Sequence, residues 1–322
     1  MDKLFSSILE KRPTLKENSA KMYVRNLKKL NEFSGNPNLY DLNILKNKKK
    51  VDEFLKEKKQ NTQKNYLASI VVLIQSHPEV FDTEGTDSLL IKYRTDMESV
   101  HNELQDEFKK QNKTEKQSKN WMELKDLQKV VNEYKRQLKN LKVFNKTEHT
   151  AKEKELAQMY MVGSLYIVDP ENNPPLRADY APMKIINSKE YKKLSPEELK
   201  KNYLVISGKL SKFFHLGEYK TDKKYGEKLI KVGSKLNSVI NNWLKVNKTE
   251  NFLINSKGGA MSSNGLTKFL TKTFSPTGKK IAVNMLRHIV ITHLFPPNLE
   301  EKEKTADLMG HSTSQQTLYS KK

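Results

Sequence analysis

Apolar residues recur at helical spacing along nearly the whole chain, and the period changes in one place only, between about residues 202 and 232. There "NYLVISG", "SKFFHLGEY" and "GEKLIKV" gather aromatic and β-branched residues into short runs broken by glycine. Such runs predict three short strands, the last two joined by a turn around "KTDKKYG". A chain of 322 residues patterned in this way is predicted to be mainly α, with a small antiparallel β-sheet in its second half.

Upstream of the sheet, "TLKENSAKMYVRNLKKLNEFS" over residues 14–34 predicts a helix, with Thr14 and Glu17 as a capping box just after Pro13. Ala20, Tyr23, Val24, Leu27, Leu30 and Phe33 share one face of it. Further helices are expected over 41–58, 61–76 and, in a long polar run, 87–111. Residues 1–108 thus read as a small all-helical domain. Residues 109–119, "KKQNKTEKQSK", contain no apolar side chain and read as a linker with frayed helix at its edge. Fully extended, it would reach about 36 Å, enough to pass across a DNA duplex.

Residues 120–322 make the second domain. Besides the strands it is expected to carry helices from about Trp121, from Lys152 to Tyr166, from a capped start at Ser195-Pro-Glu-Glu198, and over 233–246, 262–274 and 283–295. A last helical pair is expected over 299–309 and 314–319.

Net charge decides the class of partner. At +21, with a pI near 9.6, the chain attracts polyanions, of which nucleic acid is the commonest. Of 59 basic residues only six are Arg, leaving 53 Lys. Scarcity makes the arginines informative, because the guanidinium fork grips phosphate in a way that an ammonium cannot. Only Arg177 and Arg287 lie in the C-terminal half, each in an apolar setting. The absence of cysteine excludes a disulfide framework and a thiolate zinc site. No run approaches a membrane span, and the N-terminal residues lack a secretory signal pattern, so an intracellular, non-secreted protein is expected.

Phosphoryl transfer on DNA without a metal needs a nucleophile in line with phosphorus, cations on the non-bridging oxygens and an acid for the leaving oxygen. The second domain offers candidates in order. Arg177 in "NNPPLRADYAPMKI" follows a double proline and is read as opening an apolar helical stretch, where unpaired N–H groups favour an anion. Lys220 sits in the turn between two strands and could deliver a mobile ammonium, with Lys223 and Lys224 competing for that role. Arg287 stands in "AVNMLRHIVITHLF", a helix so apolar that its guanidinium requires a partner, phosphate or carboxylate. His288 and His293 on the same helix are read first as packed core histidines. His311 follows Gly310, which is expected to end a helix, and Tyr319 falls about two turns further on.

The pieces "PLRADY", "YKTDKKYG", "MLRHIVITHL" and "LMGHSTSQQTLY", in that order, resemble the tyrosine recombinases, the phage integrase family. The likeness covers about residues 120 to 322, and "PLRADY" and "YKTDKKYG" look closer to members from large DNA viruses and eukaryotic mobile elements. Residues 1–108 are similar in pattern to the family's core-binding domain. The resemblance implies a site-specific recombinase or integrase acting on double-stranded DNA, assembled as a homo-tetramer on it. Tyr319 would be the nucleophile of a 3′-phosphotyrosyl link and Arg177 and Arg287 the phosphate clamp. Lys220 would be the general acid, and His311 would donate a hydrogen bond to a non-bridging oxygen. Neither ATP nor metal nor any other cofactor would be needed, because the covalent link stores the phosphodiester energy.

Three departures accompany the likeness. The family's usual His three residues before the second Arg is here Asn284, which cannot take a proton at neutral pH and leaves the base for Tyr319 open. The usual acidic position three after the first Arg is Tyr180, with Asp179 one step early and available to orient His311. Only Ser320, Lys321 and Lys322 follow Tyr319, where many relatives have a longer tail that docks on a neighbouring subunit, so the assembly differs or the chain is shortened. Two other readings stay open: a type IB topoisomerase, with the same covalent link but relaxation in place of exchange, and a DNA-binding relative without catalysis.

Overall fold

The structure is a computed structural model and describes residues 3–36, 43–81, 83–85, 88–294, 306–310, 312 and 319–321. Contacts divide the chain into two units, one ending at Lys110 and the other beginning at Gln111. The chain turns there because Gln111 takes a left-handed φ of 56°, which an α-helix cannot continue.

The first unit is all helical: α1 (Lys3–Lys11), α2 (Glu17–Ser34), α3 (Lys48–Lys56), α4 (Gln60–Ser76) and α5 (Leu89–Lys109). Leu27 and Leu30 of α2 meet Ile70, Leu73 and Ile74 of α4, all essentially sealed from solvent. Tyr93 of α5 reaches into the same core, and its hydroxyl donates to the Leu45 carbonyl at 2.8 Å. The expected start of the long N-terminal helix is corrected: Lys16, not Thr14, is the N-cap, and its side chain does not cap the helix. The expected 41–58 helix is split, since Asn47 caps α3 with its own side chain after a 3₁₀ turn at Asn43–Lys46.

The second unit opens with α6 (Glu115–Asn120), α7 (Leu124–Asn140) and α8 (Ala151–Ile167). Much of the expected 109–119 linker is therefore ordered helix. Thr114 and Gln117 form a capping box, and Asn120 accepts a hydrogen bond from the Lys280 amide at 2.7 Å. Helix α8 is buried on nearly every side and forms the axis of the core. Gly163 lets α7 approach it closely: a Cβ there would meet Val131 at 2.6 Å.

The sheet has four strands in the order β1 (Lys184–Asn187), β2 (Asn202–Ile206), β3 (Lys212–Leu216) and β4 (Lys228–Lys231). Three match the expected runs and pair antiparallel. The fourth, β1, pairs parallel to β2, so the sheet is mixed and the wholly antiparallel expectation is corrected. A parallel neighbour requires a long return, supplied by residues 188–201, which include the single turn α9 (Ser188–Tyr191). Ser195 and Glu198 do exchange capping hydrogen bonds, but no helix follows them, because the chain enters β2 at Asn202.

Beyond the sheet run α10 (Asp222–Tyr225, a turn within the β3–β4 loop), α11 (Ser234–Val246), α12 (Ser263–Thr273) and α13 (Val283–Leu294). Lys212 of β3 is only 2% exposed; its ammonium donates to the Lys209 carbonyl and to the side chains of Asn237 and Asn241 at 2.7–3.0 Å. Three acceptors offset the cost of burying it, although burial still lowers its pKa. The expected helix over 299–309 is described only from Ala306, and that over 314–319 lies outside the described residues apart from Tyr319. Gly310 does end its turn, at φ 66°. Among the described residues no helix is long and apolar enough to cross a membrane.

Candidate active site

Helix α13 is apolar at Met285, Leu286, Ile289, Val290 and Ile291, and this drives it into the core with Arg287 carried along. The guanidinium is wholly buried, and the aromatic ring of Tyr319 lies over it, with 4.6 Å from Cζ to the ring centroid. A π-face is a favourable neighbour for a desolvated cation. Burial pulls the Arg287 pKa down to about 10. Tyr319 opposes that shift, Arg177 adds to it, and Tyr166 and Asp179 oppose it. Arg177, Asp179 and Tyr319 are thus each near enough to act on Arg287, although it lies far from all of them in the chain.

Arg177 does not open a helix. It precedes a single 3₁₀ turn, Ala178–Tyr180, after which the chain enters β1, so the expected anion-binding helix start is corrected. Side chains from elsewhere hold the turn. The Tyr166 hydroxyl donates to the Arg177 carbonyl at 3.0 Å. Asn173 spans the β4–α11 junction, donating to the Lys231 carbonyl and accepting from the Gly233 amide. Asp179 is half-buried, and burial raises its pKa against the pull of Arg177 and Arg287. Tyr180, fully buried, packs edge-on against Tyr166 with centroids 5.8 Å apart, and does not supply the acidic group the family has at that place.

Lys220 is exposed on the loop 217–227 between β3 and β4. The groups acting most on Arg287 do not include it. The loop is nevertheless tied to the site through its neighbours. Asn202 donates to the carbonyls of Asp179 and Glu218 and accepts from the Glu218 amide at 2.9 Å, joining the Arg177 turn to the base of the loop. The Tyr219 hydroxyl closes the loop on the Gly226 carbonyl at 2.7 Å. Thr221 donates to the Gly310 carbonyl at 2.5 Å, and Lys228 pairs with Asp307 at 2.9 Å. A Cβ on Gly310 would strike the Tyr219 ring at 2.8 Å, so the backbone before His311 lies against the loop carrying Lys220. Lys223 and Lys224 are also exposed, and Lys224 stacks over Tyr225 at 5.2 Å. His311 lies outside the described residues.

The remaining candidates divide. Asn284 is exposed in the first turn of α13, one turn before Arg287. His293 is exposed and is not the core histidine expected. His288 is mostly buried; its Nδ1 lies 3.0 Å from the Tyr319 carbonyl, and its ring is 5.0 Å from the phenol ring. Burial lowers its pKa to about 4. Ile291, Met309 and Tyr319 form a small apolar cluster of their own. Asn202, Tyr166 and Thr292 escaped the sequence reading. A polar pair four residues apart, His288 and Thr292 on the otherwise apolar α13, is the one signal that could have pointed to the last.

Among the described residues no cluster of His, Cys, Asp or Glu side chains could hold a metal ion. A comparison with models of known protein families finds no match, and no curated protein matches the chain.

Proposed function

We propose that the chain is a tyrosine recombinase, cutting and rejoining double-stranded DNA through a 3′-phosphotyrosyl intermediate. The observation that carries this reading is the stacking of Tyr319 on the buried guanidinium of Arg287, whose charge also feels Arg177 and Asp179. A phosphodiester suits both groups, held by the guanidinium and attacked by the phenol. In the reaction the Tyr319 oxygen bonds to phosphorus, and the bond to the 5′-oxygen breaks. Lys220 gives its proton to that leaving oxygen, while the phenolic proton passes to a base or to water. Arg177 and Arg287 balance the charge that grows on the non-bridging oxygens. Reversal by a 5′-hydroxyl of another strand completes exchange. Tetramer formation on the target belongs to the same proposal.

The test is trapping on a nicked suicide duplex without divalent metal. The wild-type chain is expected to form a covalent adduct and Tyr319→Phe none, with DNA affinity nearly unchanged. An adduct that persists in the variant removes Tyr319 as nucleophile. Four-way junctions on a two-site substrate favour exchange; relaxation by a monomer favours the topoisomerase reading.

A further inference from the structure

The backbone of Tyr319 is held by two side chains of α13. Its carbonyl lies 3.0 Å from His288 Nδ1 and 3.3 Å from Thr292 Oγ1. The Lys321 amide donates to Thr292 Oγ1 at 2.9 Å. The chemistry of the groups fixes the proton positions. A carbonyl only accepts, so Nδ1 of His288 carries its proton and the Thr292 hydroxyl donates while receiving from Lys321. His288 and Thr292 are four residues apart, and so lie one above the other on one face of the helix. Arg287, next to His288, sits under the phenol ring of the same tyrosine.

We propose that His288 and Thr292 are positioning residues that set the nucleophile of this chain's own site, holding Tyr319 by its main chain. The inference rests on the reading of Tyr319 as nucleophile. Fixing the carbonyl and the amide two residues on leaves the phenol only its side-chain torsions. Its approach to a phosphate on Arg287 then becomes a small rotation in place of a search by a loose segment. Thr292 is the more telling of the two, because one hydroxyl both donates and accepts and no apolar residue can do either.

The experiment compares Thr292→Val, which keeps the shape, with Thr292→Ser, which keeps the hydroxyl. Single-turnover adduct formation on the nicked duplex is expected to slow about 30-fold in T292V and to recover to within about threefold of wild type in T292S, at equal half-saturating DNA. On DNA with sulfur in place of the 5′-bridging oxygen, the T292V deficit persists. That leaving group needs no acid, so it relieves a loss of Lys220 and not a misplaced phenol. Amide exchange supplies a readout independent of catalysis: Lys321 is expected to lose protection in T292V and keep it in T292S. The clasp is overturned if T292V cleaves as fast as wild type, if T292S is as slow as T292V, or if Lys321 protection is the same in both. A wild-type chain that forms no adduct sinks the functional reading instead, and amide exchange then decides the clasp by itself.

Discussion

Arg287 and Lys220 sit in opposite surroundings, one sealed beneath an aromatic ring in the core, the other in water on the loop 217–227. The difference fits the roles proposed for the two residues. A group that must hold an anion in a fixed place gains from a rigid, dry setting, where its field is little screened. A group that must hand over a proton and recover it gains from access to water and from a short range of motion. Asn202 ties the buried corner to the base of the exposed loop, bonded to the Asp179 carbonyl on one side and to Glu218 on the other.

The contrast is tested most severely by Arg287→Met. Adduct formation should fall by more than about 1000-fold, as expected when a fixed charge is removed from a developing anion. Urea denaturation should show a loss of stability of up to about 3–5 kcal/mol, because one member of a buried group that includes Asp179 and the Tyr319 ring is removed. Adduct formation at the wild-type rate in R287M would remove Arg287 from the phosphate clamp. Lys220→Ala should behave differently: a cleavage loss of about 100- to 1000-fold that is relieved by a sulfur leaving group, with an unfolding free energy within about 0.5 kcal/mol of wild type. If K220A leaves cleavage untouched, Lys223 or Lys224 takes its place as the acid.

A smaller effect sharpens the picture of the buried corner. His288 titrates near 6.5 when unfolded, but burial, opposed by the Tyr319 carbonyl and aided by Lys321 and Arg287, brings it to about 4 in the fold. The folded state therefore resists a proton that the unfolded chain accepts. Stability is present in full above about pH 6.5, falls by at most about 1.4 kcal/mol per pH unit down to about pH 4, and then levels off. Comparing denaturation of wild type and His288→Asn across this window isolates the one-proton slope, which should be missing from the variant.

The parts of the molecule legible in its sequence were those governed by one-dimensional pattern. Helices α4, α7, α8, α11, α12 and α13 follow from their apolar spacing, and three strands from the change of period. β1 did not, because an edge strand of four residues shows no alternation. Ile185 and Ile186 are adjacent, and their partners lie in β2, nearly twenty residues away. Thr14 and Glu17 have the spacing of a capping box, but the helix begins later than that spacing predicts, since the N-cap is set by the backbone angle, which Lys16 supplies. In the site, the arginines stood out by rarity, and the meeting of Arg287 with Tyr319 was expected. The ties through Asn202, Tyr166 and Thr292 were hidden, because each is a side chain bonded to the main chain of a residue distant in sequence.

Lys212 sets one amine apart from its many counterparts. With its nitrogen enclosed by the Lys209 carbonyl and two asparagines, it is shielded from reagents that acylate surface lysines freely. Exhaustive amine labelling of the native protein would therefore leave one acylation mark missing in β3. The mark would appear only in molecules where α11 had parted from the β2–β3 turn, which makes this residue a chemical witness of opening between the helix and the sheet.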